Sequence, residues 1–137
     1  VSVSDLTRGR KVVIFAVPGA FTPTCHSAHV PSFVRTIDQF KAKGVDEVVC
    51  ISVNDVFVMK AWGKATGATA AGISMLSDPG EYTTARGVSF DGAAAGLIGR
   101  SKRHAVYVVD GVVEKLHLEE SPGACEISGG EALLAEI

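Results

Sequence analysis

Two kinds of apolar run alternate along this chain. Lys11 to Val17 and Val48 to Val53 are short and almost continuously apolar, which predicts strands buried on both faces. Between them Phe33, Val34, Ile37 and Phe40 recur at helical spacing, and Gly44 supplies a stop. Asn54 or Asp55 can cap a helix reaching Ala65, with Gly67 beyond its end. Ile73 to Leu76 predicts a short third strand. Asp78-Pro79-Gly80-Glu81 combines a capping residue, a first-turn proline and an acid three positions on, the signature of a helix start. Phe90 to Gly99 is rich in Gly and Ala and is expected to be irregular. His104 to Val109 and Val112 to Leu118 alternate around Asp110-Gly111, a hairpin pattern, and Ser128-Gly129-Gly130-Glu131 opens a last helix. Alternation followed by an antiparallel pair implies an α/β architecture, a mixed central sheet flanked by helices.

At 137 residues, one domain over residues 1–137 is expected, large enough to bury a core. Apolar residues make up 47% of the chain, and 13 basic against 15 acidic residues leave a net charge of -2. That balance argues against disorder and against binding nucleic acid as the main task. No run approaches the ~18 consecutive apolar residues that span a bilayer, so a soluble protein with no membrane partner is expected. The chain begins at Val1 rather than Met, so a truncated or processed N-terminus is expected, with room upstream for a hairpin or a transit peptide. Cytoplasm, chloroplast and mitochondrion all remain open. The three cysteines, Cys25, Cys50 and Cys125, are odd in number and form no C-x-x-C pair, which suits a reducing compartment with a reactive thiol.

The chemistry concentrates in Pro18-Gly19-Ala20-Phe21-Thr22-Pro23-Thr24-Cys25. Thr22 reads as a helix N-cap with Pro23 at the first helical position, and Pro31 should kink or interrupt that helix. This register sets Cys25 in the first turn, beside unpaired N–H groups and the positive end of the helix dipole. A thiol so placed is expected to ionise readily, and the thiolate is the nucleophile. The opposite reading, an inert buried cysteine at a helix start, remains open from spacing alone.

Pro18, Thr22 and Cys25 fill the P-x-x-x-T-x-x-C motif, and the longer run through His26 to Pro31 resembles the type II, or peroxiredoxin-five-like, peroxiredoxins. Cys50-Ile51-Ser52-Val53-Asn54-Asp55, Phe57 to Trp62 and Leu76-Ser77-Asp78-Pro79 extend the likeness across nearly the whole chain. The resemblance implies a thioredoxin-like fold and a thiol peroxidase for hydrogen peroxide and alkyl hydroperoxides, with no cofactor and no metal. Cys25 is then the nucleophile that attacks the peroxide. The Thr22 hydroxyl, three residues away, can bond either the sulfur or a peroxide oxygen, the N–H groups of Thr24 and Cys25 can add donors, and Pro18 would shield the sulfur. The resemblance assigns the polarising cation to Arg103, whereas the residues alone allow Arg100-Ser101-Lys102-Arg103 to be a solvated rim. Arg86 is a weaker candidate, better suited to a surface ion pair.

A second thiol is usually needed to recycle the sulfenic acid. Cys50 matches the second cysteine of plant-type members but lies within a strand, where a buried core role is the plainer reading. Cys125 follows Ser121-Pro122-Gly123 in a loop, at the resolving region of animal-type members, and mobility favours it slightly. Thioredoxin or glutaredoxin with glutathione would restore the thiol, with direct attack of glutathione on Cys25 a third route. Cys25 and His29 could share a helix face, but without further ligands zinc is disfavoured, and His29 more plausibly packs or hydrogen-bonds near the pocket. Phe21, Phe57 and Trp62 read as core. The resemblance implies a homodimer surface around Phe21, Pro23 and Ala93 to Ile98. A disulfide oxidoreductase is disfavoured by the missing C-x-x-C, and a redox sensor signalling through Cys25 remains the alternative.

Overall fold

A computed structural model describes residues 2–137. A five-stranded sheet in the order β3-β2-β1-β6-β7 forms its centre. β1 (Lys11–Val17), β2 (Glu47–Ser52) and β3 (Ser74–Ser77) run parallel, while β6 (His104–Val109) is antiparallel to β1 and β7 (Val112–Leu118) to β6. The continuous apolar character of β1 has the expected cause, since both of its faces are covered. Val13, Phe15 and Val17 pack against Phe33, Ile37 and Phe40 of α2 (Val30–Ala42), Met59 and Trp62 of α3 (Val56–Thr66), and Leu133 of α6 (Gly130–Leu134). Val12, Ile14 and Ala16 face the other way, toward Leu6 of α1 (Val3–Thr7) and Tyr82 of α5 (Glu81–Ala85). The short helices α1 and α4 (Ala68–Ala71) carry no periodic signal and were not expected.

Several local signals act as written. Asp55 accepts from the Val58 N–H at 2.8 Å and starts α3, and Gly67 ends it in the left-handed region at φ 76°. Asp110 and Gly111, at φ 48° and 77°, make the turn between β6 and β7 with both central residues left-handed.

Others are overridden. Residues Phe90 to Gly99, expected to be irregular, form a second sheet in which β4 (Ser89–Gly92) pairs with β5 (Leu97–Ser101) around a 3₁₀ turn at Ala93–Ala95. Here Gly96 and Gly99 supply positive φ that hides the strand alternation. α5 begins at Glu81, later than its capping pattern suggests, because Asp78 reaches forward. Its two oxygens accept from the N–H groups of Gly80, Tyr82 and Thr83 and from the Thr83 hydroxyl. At α6 the expected cap, Ser128, gives its hydroxyl to Glu119, and the Gly130 N–H is capped instead by Ser32 Oγ of α2 at 2.9 Å. Phe57 and Phe21, expected in the core, are 80% and 51% exposed, whereas Trp62 is buried. Phe57 lies five positions before Trp62, which turns it about 140° around α3 and out to solvent.

Candidate active site

The loop after β1 carries the first residues of the site. Asn54 Oδ1 accepts from the Ala20 N–H at 3.0 Å and from Ser52 Oγ at 2.6 Å, tying this loop to the end of β2. Phe21 takes φ 63°, a left-handed conformation costly for a residue with a Cβ. Thr22 occupies the cap position, but its hydroxyl donates backward to the Gly19 carbonyl at 2.7 Å, so its proton is already committed. The first backbone bond of the helix runs from the His26 N–H to the Thr22 carbonyl at 2.9 Å. Thr24 and Cys25 precede it, so their N–H groups belong to the unpaired first turn.

The expected break at Pro31 takes another form. Cys25–His29 is a π-turn, closed by the Val30 N–H on the Cys25 carbonyl, and α2 continues directly from it. Widening the helix just ahead of Pro31 accommodates a residue that lacks an N–H and crowds the preceding turn. The same turn points both Cys25 and His29 into the core cluster above the sheet, and both are fully buried.

Arg103, at the start of β6, meets them there. The basic cluster is split by burial: Lys102 is exposed, Arg100 hydrogen-bonds the Pro18 carbonyl at 3.3 Å, and Arg103 is 1% exposed. Arg103 Nη2 donates to Cys25 Sγ at 3.1 Å and to the Pro122 carbonyl at 3.0 Å, while Nη1 lies 3.0 Å from His29 Nδ1. The other ring nitrogen of His29, Nε2, is 2.9 Å from the Ser128 carbonyl. A carbonyl only accepts and a guanidinium only donates, so the ring is neutral with its proton on Nε2. Burial, reinforced by the Arg103 charge, pushes its pKa down to about 3. Both nitrogens are thereby occupied, which leaves no lone pair for a metal, and among the described residues no cluster of His, Cys, Asp and Glu could hold one.

A pocket of about 470 Å³ opens beside this group, lined by Pro18, Thr22, Phe90, Leu97, Arg103 and Pro122 among others. β4 and β5 supply its apolar wall. Arg86 lies away from it, lining a cavity with Tyr82 and Asp110 on the opposite face of the sheet. All three cysteines are free thiols. Cys50 is fully buried in β2, and burial pushes its thiol well up, with the nearby Cys25 adding to the effect. Cys125 is partly buried in the loop after β7, where burial also raises it. The Pro122, Gly123 and Ser128 carbonyls and Glu119 escape sequence reasoning altogether, because backbone acceptors and one acid in a loop leave no pattern.

Comparison with known proteins follows the same line. The family model described as Redoxin matches residues 1–134. The chain is 49% identical over 140 residues to Peroxiredoxin-2E-2, chloroplastic, of Oryza sativa subsp. japonica, covering 100% of itself and 62% of that protein. It thus spans about three fifths of that relative's length. Against Peroxiredoxin-2C of the same organism it is 46% identical and covers 84% of the relative. Among solved structures, reduced Prx3 from Vibrio vulnificus superposes with a TM-score of 0.91 at 48% identity, covering 98% of this chain and 84% of that one. The fold is therefore thioredoxin-like, and no helix among the described residues is long and apolar enough to cross a membrane. A buried cysteine on a π-turn, an arginine fork on its sulfur and these likenesses lead to one conclusion: the chain belongs to the redoxin family and, within it, to the peroxiredoxins.

Proposed function

We propose that this chain is a thiol-dependent peroxidase that reduces hydrogen peroxide and alkyl hydroperoxides through Cys25. The observation that carries the reading is the buried 3.1 Å contact between Arg103 Nη2 and Cys25 Sγ at the edge of an open pocket. The sulfur electron pair attacks one peroxide oxygen and the O–O bond breaks. Sulfur is oxidised by two electrons to a sulfenic acid, and the departing hydroxide or alkoxide takes a proton to become water or alcohol. The Arg103 fork and the N–H groups of Thr24 and Cys25 stabilise the charge developing on oxygen. Thr22 Oγ1, having given its proton to Gly19, orients the peroxide by accepting from its O–H, and Pro18 covers the sulfur.

A thiol then attacks the sulfenic sulfur, forming a disulfide and releasing water. Cys125 suits this step better than Cys50, since a loop opens more readily than a central strand. Burial raises its thiol pKa, so opening of the loop favours the thiolate. Thioredoxin or glutaredoxin with glutathione completes the cycle, in cytoplasm or an organelle. A second copy of the chain covers Phe21 and Ile98, 51% and 61% exposed, and the sedimentation mass should be that of a homodimer.

The test is peroxide consumption by wild type and by Cys25→Ser, Cys50→Ser and Cys125→Ser, each with thioredoxin or with glutathione and glutaredoxin. Loss of turnover in Cys25→Ser with every reductant supports the reading, and full activity in that variant overturns it. A sensor would oxidise once per chain without turnover. Selective loss of thioredoxin-supported turnover in Cys125→Ser identifies the resolving thiol.

A further inference from the structure

We infer that Glu119 is a positioning residue for Arg103: its carboxylate gathers residues 126–128, so that the Ser128 carbonyl holds His29 and His29 aims the guanidinium at Cys25 Sγ. The inference rests on the peroxidase reading and deepens it.

Glu119 follows β7 and is buried, yet no lysine or arginine ion-pairs with it among the described residues. A buried charge of this kind is costly unless hydrogen bonds replace its water. Here four donors converge on one oxygen. Oε2 accepts from the N–H groups of Glu126 at 2.8 Å, Ile127 at 2.9 Å and Ser128 at 2.8 Å, and from Ser128 Oγ at 2.7 Å. Three consecutive N–H groups around one anion form a backbone nest, which the carboxylate holds in shape. Burial works against the charged form, but these bonds outweigh it and keep the carboxyl below its usual pKa.

The strap closed in this way reaches Arg103 at three points. The Glu119 N–H donates to the Arg103 carbonyl at 3.0 Å, and the Pro122 carbonyl accepts from Nη2 at 3.0 Å. At the far end the Ser128 carbonyl fixes the proton of His29 on Nε2, leaving Nδ1 as acceptor for Nη1. Arg103 Nε has no partner, so the orientation of the guanidinium depends on its two terminal nitrogens and whatever holds their acceptors. The Gly123 carbonyl also accepts from Thr24 Oγ1 at 3.1 Å, binding the strap to the helix that carries Cys25. A glutamine at 119 keeps the volume and can turn its carbonyl oxygen toward the four donors, but it lacks the charge that strengthens those bonds.

The experiment separates the two half-reactions in the full chain. Oxidation of Cys25 by hydrogen peroxide is followed in stopped flow by the fluorescence of Trp62, the sole tryptophan, whose Nε1 bonds His26 beside Cys25. Reduction of the oxidised protein by dithiothreitol is followed the same way. Glu119→Gln should slow oxidation by about 10- to 100-fold, as a misaligned reacting group does. Reduction should not be slowed, since a looser strap frees Cys125, amide exchange at 126–128 should be faster, and Glu119→Asp should recover part of the oxidation rate. Oxidation at the wild-type rate in Glu119→Gln, or equal slowing of both half-reactions, overturns the inference. Should Glu119→Gln fail to fold, Ser128→Ala removes one of the four donors while keeping the carbonyl on His29. A selective, smaller slowing of oxidation then supports the inference, and a wild-type rate overturns it. A wild type whose Cys25 does not react with peroxide sinks the peroxidase reading itself, and this inference with it.

Discussion

Replacing Arg103 by lysine keeps the positive charge and removes the fork. In the native site two terminal nitrogens serve three acceptors, Cys25 Sγ, the Pro122 carbonyl and His29 Nδ1, all within 3.1 Å. A lysine offers one nitrogen on a flexible stem and cannot reproduce this two-point geometry in a buried setting. The carbonyl and the imidazole then compete with the sulfur and the incoming peroxide for a single ammonium. Losing one preorganised donor aimed at developing negative charge costs about 2.7–4 kcal/mol, or roughly 10²- to 10³-fold in rate. The second-order rate constant for oxidation of Cys25 by hydrogen peroxide should fall by about that factor, read in stopped flow with substoichiometric peroxide. Urea unfolding of the same variant provides the control, because an unserved His29 Nδ1 costs about 1–3 kcal/mol of stability. A folded Arg103→Lys protein that oxidises at the wild-type rate would refute the view that fork geometry, rather than charge alone, activates the site.

Stability should fall on acidification before any carboxylate titrates. His29 is held near pKa 3 in the fold against about 6.5 when unfolded, so its contribution is complete above pH 6.5 and erodes as pH drops toward 3, by up to about 1.4 kcal/mol per pH unit. His104, also lowered by burial, acts in the same direction, and Glu119 joins only below its ordinary value of 4.5. Urea midpoints measured between about pH 7.5 and pH 5 should decline, and decline less in His29→Gln; identical slopes would contradict this assignment. Gly130→Ala would set a Cβ 2.5 Å from the Ser32 carbonyl oxygen of α2, an overpacking that should cost about 1–3 kcal/mol in chemical denaturation. Asp78→Ala removes all four bonds that start α5, and a loss of about 0.5–2 kcal/mol is expected; an unchanged denaturation midpoint would mean that solvent caps the helix as well.

Much of the frame was legible because it depends on neighbours in the chain. A continuous apolar run such as Lys11 to Val17 needs cover on two faces wherever it lies. Asp55 caps a helix whose N–H groups are three residues away, and Asp110-Gly111 carries its own left-handed preference. The motif around Cys25 belongs to this class too, since a proline at the first helical position sets where the helix begins. Legibility failed where two elements compete for one group. The Ser128 hydroxyl could have capped α6 but bonds Glu119, nine residues back, and Ser32 caps α6 from another helix. Phe57 fits an apolar pattern yet faces water, because the phase of α3 follows Met59 and Trp62 against the sheet.

The sequence by itself determined the alternation of strands and helices, the terminal hairpin and the helical first turn that holds Cys25. Tertiary structure alone decided that Arg103 is buried while Lys102 is not, that a π-turn brings His29 in beside Cys25, and that a loop almost a hundred residues further on fixes that imidazole. Periodicity and capping are short-range and are written in adjacent residues. The partners of a guanidinium depend on which distant backbone carbonyls and side chains packing brings within hydrogen-bond reach, and backbone carbonyls are the same in every residue type.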